Sequence, residues 1–168
     1  EDQLGAMAVV EFSVDELDTF IEEHPEYAGI EPAVYAGPGM TTVGGPREAV
    51  VKLVEMLEAE NKFARLLNVK GAGHTSAVEP ILGELAAETA DITPMPLRIP
   101  LFSSVDRGVT YQPGTVVHEP DYWVRCTRQR VWFLDATQQA FAAGHTMLVE
   151  VSPNPVALMG MMNTAFSV

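Results

Sequence analysis

The residues best suited to chemistry in this chain stand in one short stretch, "KGAGHTS", at residues 70–76. His74 is its acid–base group, because an unperturbed imidazole titrates near neutral pH and can both accept and donate a proton. Gly71, Ala72 and Gly73 precede the histidine and remove side-chain bulk beside it. Either the backbone turns sharply at these glycines, or a large group has to reach the imidazole.

The other candidate groups offer weaker chemistry. Cys126 is the only cysteine, and no histidine neighbours it in sequence to activate its thiol. His24, His118 and His145 form no i, i+3 or i+4 pair with one another or with His74, so no metal site is predicted. The chain contains no Gly-x-Ser-x-Gly pentapeptide. None of its serines therefore has the sequence setting of a nucleophile elbow.

Composition narrows the class of protein. The 168 residues are 47% hydrophobic and 20% charged, which predicts one globular core. The formal charge of −13 argues against a nucleic-acid surface. No apolar run is long enough to span a membrane, no signal peptide is visible, and the single cysteine fits a reducing cytoplasm. The chain begins without methionine, which suggests a piece of a longer polypeptide.

One basic cluster, Arg125, Arg128 and Arg130, interrupts this acidic composition. The cluster is equally compatible with the solvated end of a helix and with a docking spot for an acidic partner.

Residues 6–70 have the pattern of a small α/β unit. Ser13 and Glu16 form a capping box that opens a first helix. Pro46 suits the first position of a second helix, in which Val50, Leu53, Val54 and Leu57 repeat at i, i+3, i+4 and i+7. Strands are predicted at residues 6–12, 32–36, 41–44 and 64–69. The resulting order, βαββαβ, is that of a ferredoxin-like split unit.

Residues 71–168 have a different pattern of predicted helices and strands. A second capping box, Ser76 to Glu79, predicts a helix that continues towards Thr89. A strand is predicted at residues 101–105, followed over residues 106–120 by a loop or a small hairpin. The remaining predicted elements are a helix at 129–143, a buried-type strand at 145–151 and a terminal helix at 155–165. This half looks like the closing part of a parallel α/β domain whose beginning lies elsewhere.

Five blocks of the sequence, in this order, resemble the acyltransferase domain of type I polyketide synthases and fatty-acid synthases. They are "GAMAVVEFSVDEL", "AVYAGPGMTTVGGPREAV", "GAGHTSAVEPILGEL", "DYWVRCTRQRVWF" and "HTMLVEVSPNPVALM". The stretch around His74 is most similar to that of the polyketide synthases that condense mycolic acids. The resemblance implies an α/β-hydrolase-like large subdomain with an inserted ferredoxin-like small subdomain. Residues 6–70 would be the insertion, and residues 71–168 the C-terminal part of the large subdomain.

The resemblance also implies a mechanism. In this family a serine forms an acyl ester, and a histidine, here His74, serves as general base and then as general acid. A backbone carbonyl orients that histidine, and its best match here is Cys126. Asn154 matches a position near the active site and is given a supporting hydrogen bond. The family's serine, its carboxylate-binding arginine and its oxyanion-hole glutamine would all precede Glu1, so the chain alone is predicted to be inactive.

The residues before the histidine wall the substituent pocket in this family. Malonyl-selective members resemble His-Ala-Phe-His and methylmalonyl-selective members Tyr-Ala-Ser-His, whereas this chain has Gly71, Ala72, Gly73 and His74. The resemblance therefore implies room for a long-chain 2-carboxyacyl group from a coenzyme A type donor. The acceptor would be the phosphopantetheine thiol of an acyl carrier protein domain, and the domain itself would bind no cofactor.

Two other functions remain open. One is an ordinary malonyl or methylmalonyl loading acyltransferase. The other is a non-catalytic small-molecule-binding module of the ACT type, built on the βαββαβ unit alone. A histidine motif followed by a second α/β half-domain has no use in such a module.

Overall fold

The computed structural model describes residues 5–168, which form a mixed α/β protein. In its first half a four-stranded sheet packs against two helices, in the order βαββαβ. The elements are β1 (Ala6–Val10), α1 (Val14–Glu23), β2 (Glu31–Gly37), β3 (Met40–Gly45), α2 (Arg47–Ala59) and β4 (Ala64–Leu66). The strand order is β2-β3-β1-β4, and every neighbouring pair is antiparallel.

Local sequence signals account for these elements. The capping box of α1 is present: the Ser13 side chain accepts from the Glu16 backbone, and the Glu16 carboxylate accepts from the Ser13 backbone. The predicted apolar face of α2 is buried, namely Val50, Leu53, Val54 and Leu57. Alternate residues of β1 enter the same core. The last strand is shorter than predicted and ends at Leu66 rather than at residue 69.

The second half is mainly helical. Its elements are a 3₁₀ turn (Ser76–Val78), α3 (Glu79–Glu88), β5 (Leu101–Phe102), β6 (Thr110–Tyr111), α4 (Pro120–Arg128), α5 (Phe133–Ala142) and α6 (Leu158–Ser167). Strands β5 and β6 pair antiparallel with each other. A second, small core of Val105, Val117 and Tyr122 lies in this half. No helix within residues 5–168 combines the length and the apolar character needed to cross a membrane.

The helix predicted over residues 129–143 is formed as α5 but begins at Phe133 rather than at residue 129, and the separate helix α4 before it was not predicted. The chain forms α4 and α5 with an extended break between them, because Val131 pairs with the edge strand β2. Tyr35 donates its backbone N–H to the Val131 carbonyl at 2.9 Å, and the Val131 N–H donates to the Ala33 carbonyl at 2.8 Å. The edge of the sheet thus takes the backbone groups that a continuous helix would have used.

Three further predictions were also wrong. Residues 145–151 form no strand, and Met147, Val149 and Val151 are exposed, because no described strand lies beside them to satisfy an extended backbone. Ser76 forms no capping box with Glu79, because Thr75 caps the 3₁₀ turn instead. Apart from the single bridge between β2 and Val131, the pairings within the described residues are antiparallel, so the predicted parallel sheet is not formed by this part of the chain.

Candidate active site

The loop after β4 places His74 in an unusual backbone conformation. His74 has φ of 59°, in the left-handed region that non-glycine residues rarely adopt. Gly71 has φ of 92°, so this glycine is needed for the turn itself. The sharp-turn explanation of the glycines therefore applies to Gly71.

Gly73 is different. Its φ lies outside the left-handed region, and a Cβ added to it would meet no atom within 4 Å. The backbone therefore does not require glycine here, and open space adjoins this position. Ala72, between the two glycines, is only 3% exposed and packs against the sheet at Gly44.

Thr75 anchors the loop on the other side of His74. Its side chain is buried, and its hydroxyl donates to the Ala72 carbonyl at 2.7 Å. The same oxygen accepts from the Ala77 backbone N–H at 3.2 Å. His74 is thus held between two buried neighbours, Ala72 and Thr75.

His74 lines a cavity between the two halves of the chain, with a volume of about 370 Å³. The other walls come from β2 and from the connection between α4 and α5: Glu31, Pro32, Arg128, Gln129, Arg130 and Trp132. Such a volume accommodates a small ligand or part of a larger one.

Ion pairs join the walls of the cavity. Glu31 accepts from the Ser76 backbone N–H at 2.8 Å and from the Ser76 hydroxyl. Arg128 donates to Glu31 at 3.4 Å and to Glu79 at 2.8 Å. Burial raises the pKa of Glu31, but the hydrogen bonds from Ser76 and the charge of Arg128 outweigh it, so the pKa lies below its ordinary value.

Aromatic stacking fixes the far wall. Trp132 stacks on Tyr35 with ring centroids 4.8 Å apart, and the Arg107 guanidinium lies 4.2 Å from the indole. Arg130 donates to the Tyr35 hydroxyl at 3.1 Å and pairs with Asp18 at 3.3 Å. Burial raises the pKa of Tyr35.

The predicted basic cluster is neutralised by carboxylates of the same chain. Arg125 pairs with Asp106 and Asp121, while Arg128 and Arg130 form the ion pairs described above. These arginines join helices to loops and strands, and their charges are already compensated. This arrangement does not support the docking of an acidic partner at the cluster.

A family model described as an acyl transferase domain matches residues 3–168. The chain belongs to this family. A similar curated protein is a subunit of the phenolphthiocerol/phthiocerol polyketide synthase of Mycobacterium tuberculosis, 34% identical over 160 residues; the match covers 95% of this chain and 8% of that protein. The acyltransferase chain thus spans a small part of the curated relative.

Solved acyltransferase domains share the fold. The acyltransferase domain of the polyketide synthase PpsC of Mycobacterium tuberculosis has a TM-score of 0.85 and 26% identity, covering 99% of this chain and 50% of that one. A loading acyltransferase from the avermectin modular polyketide synthase has a TM-score of 0.86 and 32% identity, covering 99% of this chain and 52% of the other. The chain spans about half the length of these two structures.

The predicted hydrogen bond between His74 and the Cys126 carbonyl is not formed in this structure. The Nδ1 atom of His74 is buried and has no hydrogen-bond partner, the Cys126 carbonyl included. Cys126 lies in the last turn of α4, where carbonyls lack intrahelical donors. Its side chain packs against the second core, and burial raises the pKa of the thiol. The thiol is therefore poorly suited to act as a nucleophile.

Asn154 is not brought to His74. It lies in an exposed loop, where its backbone carbonyl accepts from the Ser152 hydroxyl at 2.6 Å, and it does not line the cavity. Within residues 5–168 no group of three metal-ligating side chains converges.

Glu31 and Trp132 are two of the cavity residues that the sequence did not reveal. No local motif marks either residue, and Glu31 is far from His74 in the sequence. Arg128 was visible only as part of the basic cluster.

Proposed function

We propose that this chain supplies the acid–base histidine and part of the substrate pocket of a polyketide synthase acyltransferase. The domain would move a 2-carboxyacyl extender unit from a coenzyme A type donor to the phosphopantetheine thiol of an acyl carrier protein domain. The observation that carries the proposal is His74 itself, held in a left-handed conformation at the wall of a cavity. Strained residues of this kind cluster at functional sites.

The chemistry would proceed in two balanced steps. In the first, His74 takes the proton of a serine hydroxyl as its oxygen attacks the donor thioester, and returns it to the departing coenzyme A thiol. In the second, His74 takes the proton of the carrier's thiol as sulfur attacks the acyl-serine ester, and returns it to the serine oxygen. The serine would come from the N-terminal half of the acyltransferase, which we count as the chain's principal partner.

The Cys126 carbonyl is proposed to accept a hydrogen bond from Nδ1–H of His74 in the completed domain. Two features support this role: Nδ1 is buried without a partner, and the Cys126 carbonyl belongs to a helix end. The bond would fix the tautomer that leaves Nε2 free to accept a proton. Asn154 is proposed to add a supporting hydrogen bond once the upstream half has completed the domain.

The substrate is proposed to carry a long alkyl substituent, as in the mycolic-acid condensing synthases. Gly73 supports this preference, because the space beside it is open. Gly71 gives no such support, since its backbone conformation already explains the glycine. The alternative is a malonyl or methylmalonyl loading activity. A comparison of long-chain and short-chain donors distinguishes it from the long-chain preference.

We propose that the chain divides near residue 70. The order β2-β3-β1-β4 supports assignment of residues 6–70 as a ferredoxin-like small subdomain. Residues 71–168 would be the C-terminal part of the α/β-hydrolase-like subdomain. An ACT-type module would need neither the second half nor the His74 cavity. The enzyme is proposed to act in the cytoplasm.

The decisive variant is His74→Ala in the domain completed with its upstream half. Self-acylation by a labelled carboxyacyl-coenzyme A should slow about 10²-fold to 10⁴-fold, the usual effect of losing a positioned acid–base group. Circular dichroism should show an unchanged fold. His145→Ala is the matched control, because His145 is exposed and lies outside the cavity.

The assignment would be contradicted if His145→Ala or Cys126→Ala slowed acylation comparably while His74→Ala did not. The Cys126→Ala chain retains the backbone carbonyl, so this variant separates a role of the thiol from the proposed role of the carbonyl.

A further inference from the structure

Three residues from separate parts of the chain close around the base of the His74 loop. Glu31 begins β2, Ser76 follows His74 by two positions, and Arg128 ends α4. The Ser76 backbone N–H donates to Glu31 at 2.8 Å, its hydroxyl donates to the same carboxylate oxygen, and Arg128 donates to the other oxygen at 3.4 Å. We call these three residues the Glu31 clamp.

His74 depends on such neighbours because its own contacts do little to hold it. Its Nδ1 atom has no hydrogen-bond partner, and its left-handed backbone carries a conformational cost. Thr75 and Ala72 are buried, are joined by a hydrogen bond and pack against Gly44 of β3. The Glu31 clamp adds the only charge-assisted anchors to the loop among the described contacts, and such bonds are roughly twice as strong as neutral ones.

The Glu31 carboxylate lies beside other charged groups that form ion pairs. Arg128 faces it and also reaches Glu79 of α3, while Arg130 lines the same cavity and pairs with Asp18. Glu31 therefore links the loop that carries His74 to β2 and, through Arg128, to α4 and α3.

We propose that Glu31 is a positioning residue for His74: through Ser76 it holds the loop in the left-handed geometry that presents the imidazole to the cavity. This inference rests on the proposed role of His74 as the acid–base group. Its structural part can be measured on the chain itself, without activity.

The first measurement uses isotope-labelled chain and nuclear magnetic resonance. In Glu31→Ala the Ser76 amide should exchange with solvent about 10-fold to 10²-fold faster, and the His74 Cα and Cβ shifts should move away from left-handed values. Glu31→Gln keeps an acceptor of similar shape and should give a smaller change in both. Glu48→Ala, which removes an exposed glutamate from the first turn of α2, is the control and should leave Ser76 exchange within about twofold.

Amides of the first core, such as Leu53, report whether the variant still folds. If Leu53 stays protected and neither Ser76 exchange nor the His74 shifts change in Glu31→Ala, the positioning role is refuted. If Leu53 loses protection as well, Glu31→Gln decides: unchanged Ser76 and His74 signals at full Leu53 protection refute the role, and an intermediate change supports it.

The second measurement is kinetic, in the completed domain. Glu31→Ala should lower kcat for acyl transfer about 10-fold at an unchanged KM, because a displaced base weakens the chemical step more than donor binding. Glu31→Gln should restore part of the rate. A raised KM at unchanged kcat would overturn the positioning role and leave the function of His74 intact, whereas an unaffected His74→Ala domain would overturn the proposed function instead.

Discussion

His74 combines two properties that are costly for a folded protein. Its backbone is left-handed, and its Nδ1 atom is buried without a partner. An unpartnered buried polar group costs about 1–3 kcal/mol, so such an atom in a native protein calls for an explanation. The role proposed for the Cys126 carbonyl, in the last turn of α4, would provide one: it would accept a hydrogen bond from this atom in the completed acyltransferase domain.

The residue-scale prediction concerns Gly73. In the completed domain, Gly73→Phe should reduce acylation by a long-chain carboxyacyl-coenzyme A far more than acylation by methylmalonyl-coenzyme A. Each buried methylene contributes about 0.8 kcal/mol, so a chain excluded over about four carbons loses roughly 3 kcal/mol, on the order of 10²-fold in kcat/KM. Competition between the two donors measures this ratio.

Gly71→Ala is the matched control for Gly73→Phe. Its φ of 92° strains any side chain, so both donors should lose activity equally. An equal loss for both donors in Gly73→Phe as well would remove the support for a long-chain pocket.

The elements of the first half could be predicted from sequence because their signals are local. The Ser13 capping box and the apolar repeat of α2 both specify structure within a few residues. The break between α4 and α5 could not be predicted, since it depends on pairing of Val131 with a strand about a hundred residues earlier. The Glu31 clamp could not be predicted for the same reason, because its residues are far apart in sequence. His74 was singled out because its motif is contiguous.

The element-scale prediction compares two helical glycines. A Cβ at Gly160 of α6 would collide with the Ala36 carbonyl of β2, so Gly160→Ala should destabilise the chain by about 1–3 kcal/mol. Gly83 of α3 is exposed and has open space around it, so Gly83→Ala should stabilise by about 0.5–1 kcal/mol. Thermal unfolding followed by circular dichroism measures both. Equal effects of the two substitutions would contradict the close packing of α6 on β2.

At the scale of the whole molecule, the two halves expose very different surfaces. The first half buries a continuous core, whereas the second leaves large apolar side chains in water. Met147, Val151 and Phe166 are 82%, 94% and 84% exposed. Large apolar side chains that are exposed together are typical of contact surfaces, and the proposed upstream half of the acyltransferase is the partner that would cover these.

The most direct test of the central claim is reconstitution. The isolated chain, incubated with labelled carboxyacyl-coenzyme A and an acyl carrier protein, should transfer no label, because it contains no nucleophile elbow. Addition of the upstream half should restore transfer to the carrier, with the intermediate label on a serine of that half, and His74→Ala should abolish most of the restored rate. Stoichiometric acylation of any serine within residues 1–168, or full transfer with the His74→Ala chain, would contradict the account.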